Sequence, residues 1–148
     1  MSEFSHLGPE GSVRMVDVGH KPEQERRAIA AGRIVCQAKT IEALRRQALP
    51  KGDALTVARV AGIQAAKITA NLIPLCHPLP LNHVAVDFEV GENEISIRCE
   101  VATRSLTGVE MEALTGVAVA ALTLYDMMKS ADKAMRIEGI ELVSKVKQ

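Results

Sequence analysis

The segment from Val84 to Val101 constrains the fold more tightly than any other. Val84, Val86, Phe88 and Val90 alternate with Ala85, Asp87 and Glu89, and after Gly91-Glu92-Asn93 the alternation resumes as Ile95, Ile97, Cys99 and Val101 against Ser96, Arg98 and Glu100. Successive side chains of a strand point to opposite faces, so the pattern predicts a β-hairpin with one face in the core.

The flanking segments supply what that face packs against. From Arg26 to Gln37, Ala28, Ala30, Gly32, Ile34 and Cys36 alternate with Arg27, Ile29, Ala31, Arg33 and Val35, which reads as a further strand. Thr40 is placed to cap a short helix carrying Ile41, Leu44 and Ala48, which should stop before Pro50 because the residue preceding a proline is pushed out of the helical region. Asp53 follows the turn Pro50-Lys51-Gly52 as the N-cap of a long helix to about Leu72, apolar around most of its circumference, with Arg59, Ile63, Lys67 and Asn71 along one side. Asn71 to Leu81 contains Pro74, Pro78 and Pro80 and is predicted as an extended apolar loop. Beyond the hairpin, Gly108 precedes a second long helix to about Asp132, and Ile137 to Lys145 forms a last strand. The order is that of an α+β fold, the split β-α-β-β-α-β arrangement of ferredoxin-like folds with one added helix. One domain over 1–148 is expected, with residues 1–13 frayed and Arg14 to Val18 a short extended piece.

Composition narrows the function classes. The 148 residues include only Phe4, Phe88 and Tyr125 as aromatics and no Trp, so the core must be built from small and branched aliphatic side chains in close contact. Eighteen Lys plus Arg balance eighteen Asp plus Glu. Without surplus cations for phosphates or aromatics for stacking, a general nucleic-acid binder is disfavoured. No run approaches the roughly 18 to 20 apolar residues of a membrane span, and the first residues lack a signal-peptide layout. Cys36, Cys76 and Cys99 are an odd number at wide spacings with no C-x-x-C, which suits a reducing cytoplasm.

Several familiar chemistries are absent. There is no G-x-x-x-x-G-K-[ST] and no G-x-G-x-x-G, so any phosphate must be held by side chains. His77 and His83 beside Cys76 match no zinc spacing, and adjacent Cys76 and His77 on extended backbone point to opposite sides, which defeats a Cys-His nucleophile pair. Two readings of His77 stand side by side. It fills a gap and satisfies a carbonyl, or the proline-stiffened loop places it accurately as an acid, base or phosphate donor. Lys51 is likewise a solvated turn lysine unless neighbours give it a role.

The second long helix opens with Thr107-Gly108-Val109-Glu110-Met111-Glu112. Acids in a first turn favour the helix dipole, but residues 110 and 112 project roughly 200° apart, so one of them must meet the core or a polar pocket. At the other end Asp126 and Lys129 have the i, i+3 spacing of an ion pair. Glu112 and Asp126 are separated by roughly 21 Å along the axis, too far for one centre in one chain. Antiparallel pairing across a twofold axis would bring the glutamates of one chain near Asp126 and Lys129 of another, with Gly116, Ala120 and Ala121 permitting close helix contact. A homo-oligomer with sites at its interface is the expectation.

Taken together, Lys51-Gly-Asp, Ala-Gly-Ile-Gln-Ala-Ala-Lys67, Leu-Ile-Pro-Leu-Cys-His77-Pro-Leu, Thr-Gly-Val-Glu110-Met-Glu112-Ala-Leu-Thr and Tyr-Asp126-Met-Met-Lys129 resemble the MoaC family, over nearly the whole chain from Met15 to about Lys145. The resemblance implies a ferredoxin-like subunit in a hexamer, a trimer of dimers, that converts a cyclised dihydro-GTP to cyclic pyranopterin monophosphate and releases pyrophosphate in molybdenum cofactor biosynthesis. By matching position it implies Asp126 as a catalytic residue and Lys51 and Lys129 as proton donors or acceptors. It implies Leu75, Cys76, His77, Met111 and Glu112 as substrate-binding segments and Glu110, Arg26, Lys67 and Lys145 as further pocket residues. No metal site and no cofactor are implied, although a magnesium ion could accompany the triphosphate.

Two departures bear on phosphate binding. Leu106 stands where many relatives carry a polar residue, and after Lys145 the chain has only Val146-Lys147-Gln148 where relatives often have a glycine, serine and lysine tail. An interaction module of the same fold and a zinc hydrolase are the rival readings.

Overall fold

A computed structural model describes residues 5–8 and 10–148. The elements follow the order β1 (Gln24–Val35), α1 (Ala38–Arg45), α2 (Ala54–Lys67), α3 (Thr69–Leu72), β2 (His83–Val90), β3 (Glu94–Ser105), α4 (Glu110–Met128) and β4 (Arg136–Lys147). Every strand, the irregular proline loop and the long second helix therefore fall where periodicity predicts them. The strands make one antiparallel sheet in the order β2-β3-β1-β4. The hairpin pairs Val86 with Cys99 and Phe88 with Ile97, and Ile95, Ile97, Cys99 and Val101 are all buried on the same face.

α4 packs on that face together with α2, and small residues set how near they come. A Cβ on Gly62 would lie 2.9 Å from the Gly116 carbonyl oxygen, and one on Gly116 would lie 2.6 Å from Cys99 Sγ. Ala58, Ala66, Ala113, Ala120 and Ala121 are buried in the same core. Gly116, Ala120 and Ala121 were expected to serve contact between two chains. They are instead consumed within this one, because the helices and the sheet need the same absence of side-chain bulk.

Other local expectations need correction. Thr40 does not cap α1; Gln37 holds the N-cap position, while the Gln37 amide and the Thr40 hydroxyl both donate to Asp132 Oδ2 at 2.8 Å. The start of α1 is thus tied to a carboxylate 92 residues beyond Thr40 in sequence. Burial raises the Asp132 pKa, but the amides of Gln37 and Ala134 and the Thr40 hydroxyl outweigh it and hold the carboxyl below its ordinary range. The helix begun by Asp53, whose Oδ1 accepts the Thr56 amide at 3.2 Å, is interrupted at Ile68 before reaching Leu72. There the Thr69 hydroxyl bonds the Ala65 and Ala66 carbonyls, a local competitor to the helix ladder.

α4 also corrects the membrane reading, since by length and mean hydropathy, 1.3 over its best window, it is apolar enough to span a bilayer. Here it is the central core helix, with 56% of that window buried. Of the segment expected to fray, residues 1–4 and 9 lie outside the described residues; Leu7 and Val13 form an isolated antiparallel bridge. Arg14 to Val18 joins no strand and runs as a strap toward the proline loop.

Candidate active site

The two ends of α4 carry separate groups of reactive side chains. At its N-terminal end the proline loop, the strap and the 107–112 turn enclose a cavity of 370 Å³, walled by Leu75, Cys76, His77, Glu110, Met111 and Glu112 together with Val16 and Val18. The six expected residues meet because the loop, stiffened by its prolines, lies across the first turn of α4.

Within this cavity the two acids have different surroundings, as their angular separation requires. Glu112 is 3% exposed. Its Oε2 accepts a long contact from the Cys76 thiol at 3.8 Å, and its Oε1 has no hydrogen-bond partner. Burial pushes the Glu112 carboxyl above its ordinary range, and the charge of Glu110 adds to the effect. The Cys76 thiol is raised by burial and by Glu112, so it stays protonated and makes a poor nucleophile. Glu110 faces outward and pairs with Lys145 Nζ at 3.7 Å. Arg26, Glu110 and Lys145 line an adjoining cleft of 170 Å³. Arg26 donates through Nη2 to the Leu106 carbonyl at 3.3 Å, and its buried Nε is unpartnered. The departure at Leu106 thus contributes a backbone acceptor to an expected pocket cation.

His77 Nε2 bonds the backbone carbonyl of Val16. A carbonyl only accepts, so Nε2 carries the hydrogen, which favours the carbonyl-satisfying reading of this residue. The bond ties the strap to the loop along one side of the cavity. Val16, Val18 and Lys21 in its wall were missed by sequence reasoning, since nothing in an apolar-polar alternation at 14–18 indicates which loop it will cover. Lys67, at the last turn of α2, lies outside the cavity in a groove of 440 Å³ shared with Asn71, Pro78, Pro80 and Glu112.

At the C-terminal end of α4, Asp126 Oδ1 accepts from Lys129 Nζ at 2.9 Å and from Lys51 Nζ at 3.0 Å. The i, i+3 pair is therefore formed, and the turn after α1 adds the second lysine. Hydrogen bonds from Lys129 and Lys51 hold the Asp126 carboxyl below its ordinary range. All three side chains are about half exposed. Within one chain this cluster does not meet the Glu112 cavity, from which it is separated by roughly 21 Å of helix. Among the described residues no group of three or more His, Cys, Asp and Glu side chains is arranged to hold a metal.

Fold and site define an α+β domain with one antiparallel sheet and two groups of polar side chains at opposite ends of a core helix. Residues 15–147 match the MoaC family, and the chain belongs to it. Among similar proteins, the cyclic pyranopterin monophosphate synthase of Thermomicrobium roseum is 54% identical over 98% of this chain and 89% of its own length. That of Desulfatibacillum aliphaticivorans is 56% identical over 98% and 92% respectively. The molybdenum cofactor biosynthesis bifunctional protein of Chlorobaculum tepidum is 56% identical over 95% of this chain, which spans 45% of that longer protein.

Proposed function

We propose that this chain is a lyase of molybdenum cofactor biosynthesis, converting (8S)-3',8-cyclo-7,8-dihydroguanosine 5'-triphosphate to cyclic pyranopterin monophosphate with release of pyrophosphate. The similarity to proteins named cyclic pyranopterin monophosphate synthase over almost their whole length supports it. The observation that carries the mechanism is the division of polar groups between the ends of α4. Forming a cyclic phosphate while pyrophosphate leaves calls for cations on the triphosphate, a task suited to Arg26, Lys67 and Lys145. His77, with Nε2 committed to Val16, is suited to holding the cavity shut and has one ring nitrogen left for a ligand. Opening and reclosing the purine-derived ring requires timed proton transfers. Lys51 and Lys129, both on one carboxylate, are the donors and acceptors, with Asp126 orienting them. Magnesium, where present, would arrive with the triphosphate.

Because neither end is complete, the site is shared. Antiparallel pairing of two chains would place the Lys51-Asp126-Lys129 cluster of one against the Glu112 cavity of its partner, and three such dimers would make the hexamer. The strand order β2-β3-β1-β4, with crossover helices on one face, fits a ferredoxin-like subunit comprising a single domain over 1–148. The unpaired Cys36, Cys76 and Cys99 suit a reducing cytoplasm. Incubation with the cyclised dihydro-GTP tests this function. Cyclic pyranopterin monophosphate identified by mass spectrometry, with equimolar pyrophosphate, is the expected result, and recovery of unchanged substrate would sink it.

A further inference from the structure

The three walls of the Glu112 cavity are not held alike. The first turn of α4 leads straight into the core helix. The proline loop is fixed by the Cys76 amide on the Ile73 carbonyl, by the Thr103 hydroxyl on the Pro80 carbonyl, and by Leu79 and Leu81 packed on the core. The strap has no such support. No residue from 13 to 18 belongs to the hydrophobic core or to the partly buried side chains packed on it, and Val13 is 70% and Met15 49% exposed. Its polar groups, and those of the residues before it, bond to one another. The Arg14 amide and Nε donate to the His6 and Ser5 carbonyls, His6 Nδ1 donates to the Arg14 carbonyl, and the Gly8 amide donates to the Ser12 carbonyl. Further on, the Gly19 amide donates to Asp17 Oδ1 and the Lys21 amide to the Val18 carbonyl. Among the described residues from 5 to 23, the bond that the Val16 carbonyl accepts from His77 Nε2 is the only hydrogen bond to the rest of the chain.

We propose that the strap is a hinged wall of the cavity, latched by the single His77–Val16 bond and swinging from the turn at Val18 to Lys21, and that a ligand in the cavity holds it down. A segment with few buried contacts opens at a small fraction of the free energy of global unfolding, and here one hydrogen bond sets most of that difference. Val16 and Val18 face the cavity, so a ligand that touches them binds the docked strap better than the open one and must lower the open population. His77 is then a positioning residue that fixes where this wall stands. The latch is independent of the function proposed above; the choice of a nucleotide as ligand rests on it.

Tryptic cleavage of the full-length, assembled protein tests this. Lys21 is followed by Pro22 and resists trypsin, so Arg14–Met15 is the one tryptic bond in the strap, two residues from the latch. A protease must draw several residues on either side of the bond into its own cleft, so the initial loss of residues 1–14, followed by mass, reads the open population. His77→Ala should raise that rate about fivefold, the effect of one hydrogen bond, and His77→Gln, which keeps an N–H at similar reach, should restore most of the protection. An unchanged rate in His77→Ala, or His77→Gln as fast as His77→Ala, overturns the latch. So does a faster rate accompanied by alkylation of the buried Cys36 and Cys99, which would mean general loosening. GTP is the probe for the ligand arm and should slow cleavage of the wild type. GTP that binds by calorimetry yet leaves the rate unchanged overturns the coupling between ligand and strap. GTP that does not bind overturns the nucleotide reading and the coupling with it, while the His77 variants still decide the latch.

Discussion

The two ends of α4 solve the problem of holding charge in opposite ways. At the C-terminal end Asp126 sits in water with a lysine on either side. At the N-terminal end Glu112 is sealed under a proline loop with an oxygen unpaired. The first arrangement costs the fold little and keeps three ionisable groups available. The second opposes folding, and such strain persists where it serves a ligand. One helix thus carries a solvated proton-transfer cluster and a desolvated recognition pocket, kept apart by its own length.

The sharpest way to break that division is to remove the solvated cluster. Lys51→Ala and Asp126→Asn should each lower pyrophosphate release by about a thousandfold, the scale of acid-base catalysis, while the folded protein and its assembly survive. Near-normal turnover in either variant would take that residue out of the chemistry. Mixing is the next test. Glu112→Ala and Asp126→Ala chains, each inactive alone, should recover about a quarter of wild-type turnover after reassembly, since half the dimers regain one intact site of two. No recovery would overturn a site built from the two ends of different chains.

The middle of the helix should respond in stability. Gly116→Val puts a side chain where Cys99 Sγ already lies 2.6 Å from the Cβ position, so a loss of about 3 kcal/mol is expected in urea unfolding. The smallest effects concern pH, and there the two kinds of acid differ in sign. The Glu112 carboxyl is raised on folding, so its contribution is present at low pH and is lost as pH rises through its folded-state value. Glu112→Gln should flatten that loss. Asp132 is lowered on folding, so its contribution is present above the unfolded value and is lost as pH falls through the folded one. Asp132→Asn should remove that acid-side slope. Asp126→Asn, at a side chain about half exposed, should leave the urea midpoint nearly unmoved.

Much of this could be read from residue order. The alternation at 84–101, the N-cap at Asp53, the prolines at 74, 78 and 80 and the ion-pair spacing of Asp126 and Lys129 all act over a few residues, where local geometry decides. Thr40 misled because its partner, Asp132, is remote in sequence. Gly116 and Ala120 misled in another way: smallness announces a close approach but not to what, and the claimants were Cys99 of β3 and Gly62 of α2 in the same chain. The Val16 strap carried no signal, since a backbone carbonyl offered to His77 is the same in every residue.

Residue order alone established the strands, the helices, the family and the two sets of charged side chains at the ends of α4, because periodicity, caps and motifs are local properties of the chain. It could not establish that Glu112 lies buried without a partner while Glu110 finds Lys145, or that His77 spends its ring hydrogen on a strap. Burial and hydrogen-bond satisfaction depend on which distant segments arrive around a group, and only the packed tertiary structure settles that.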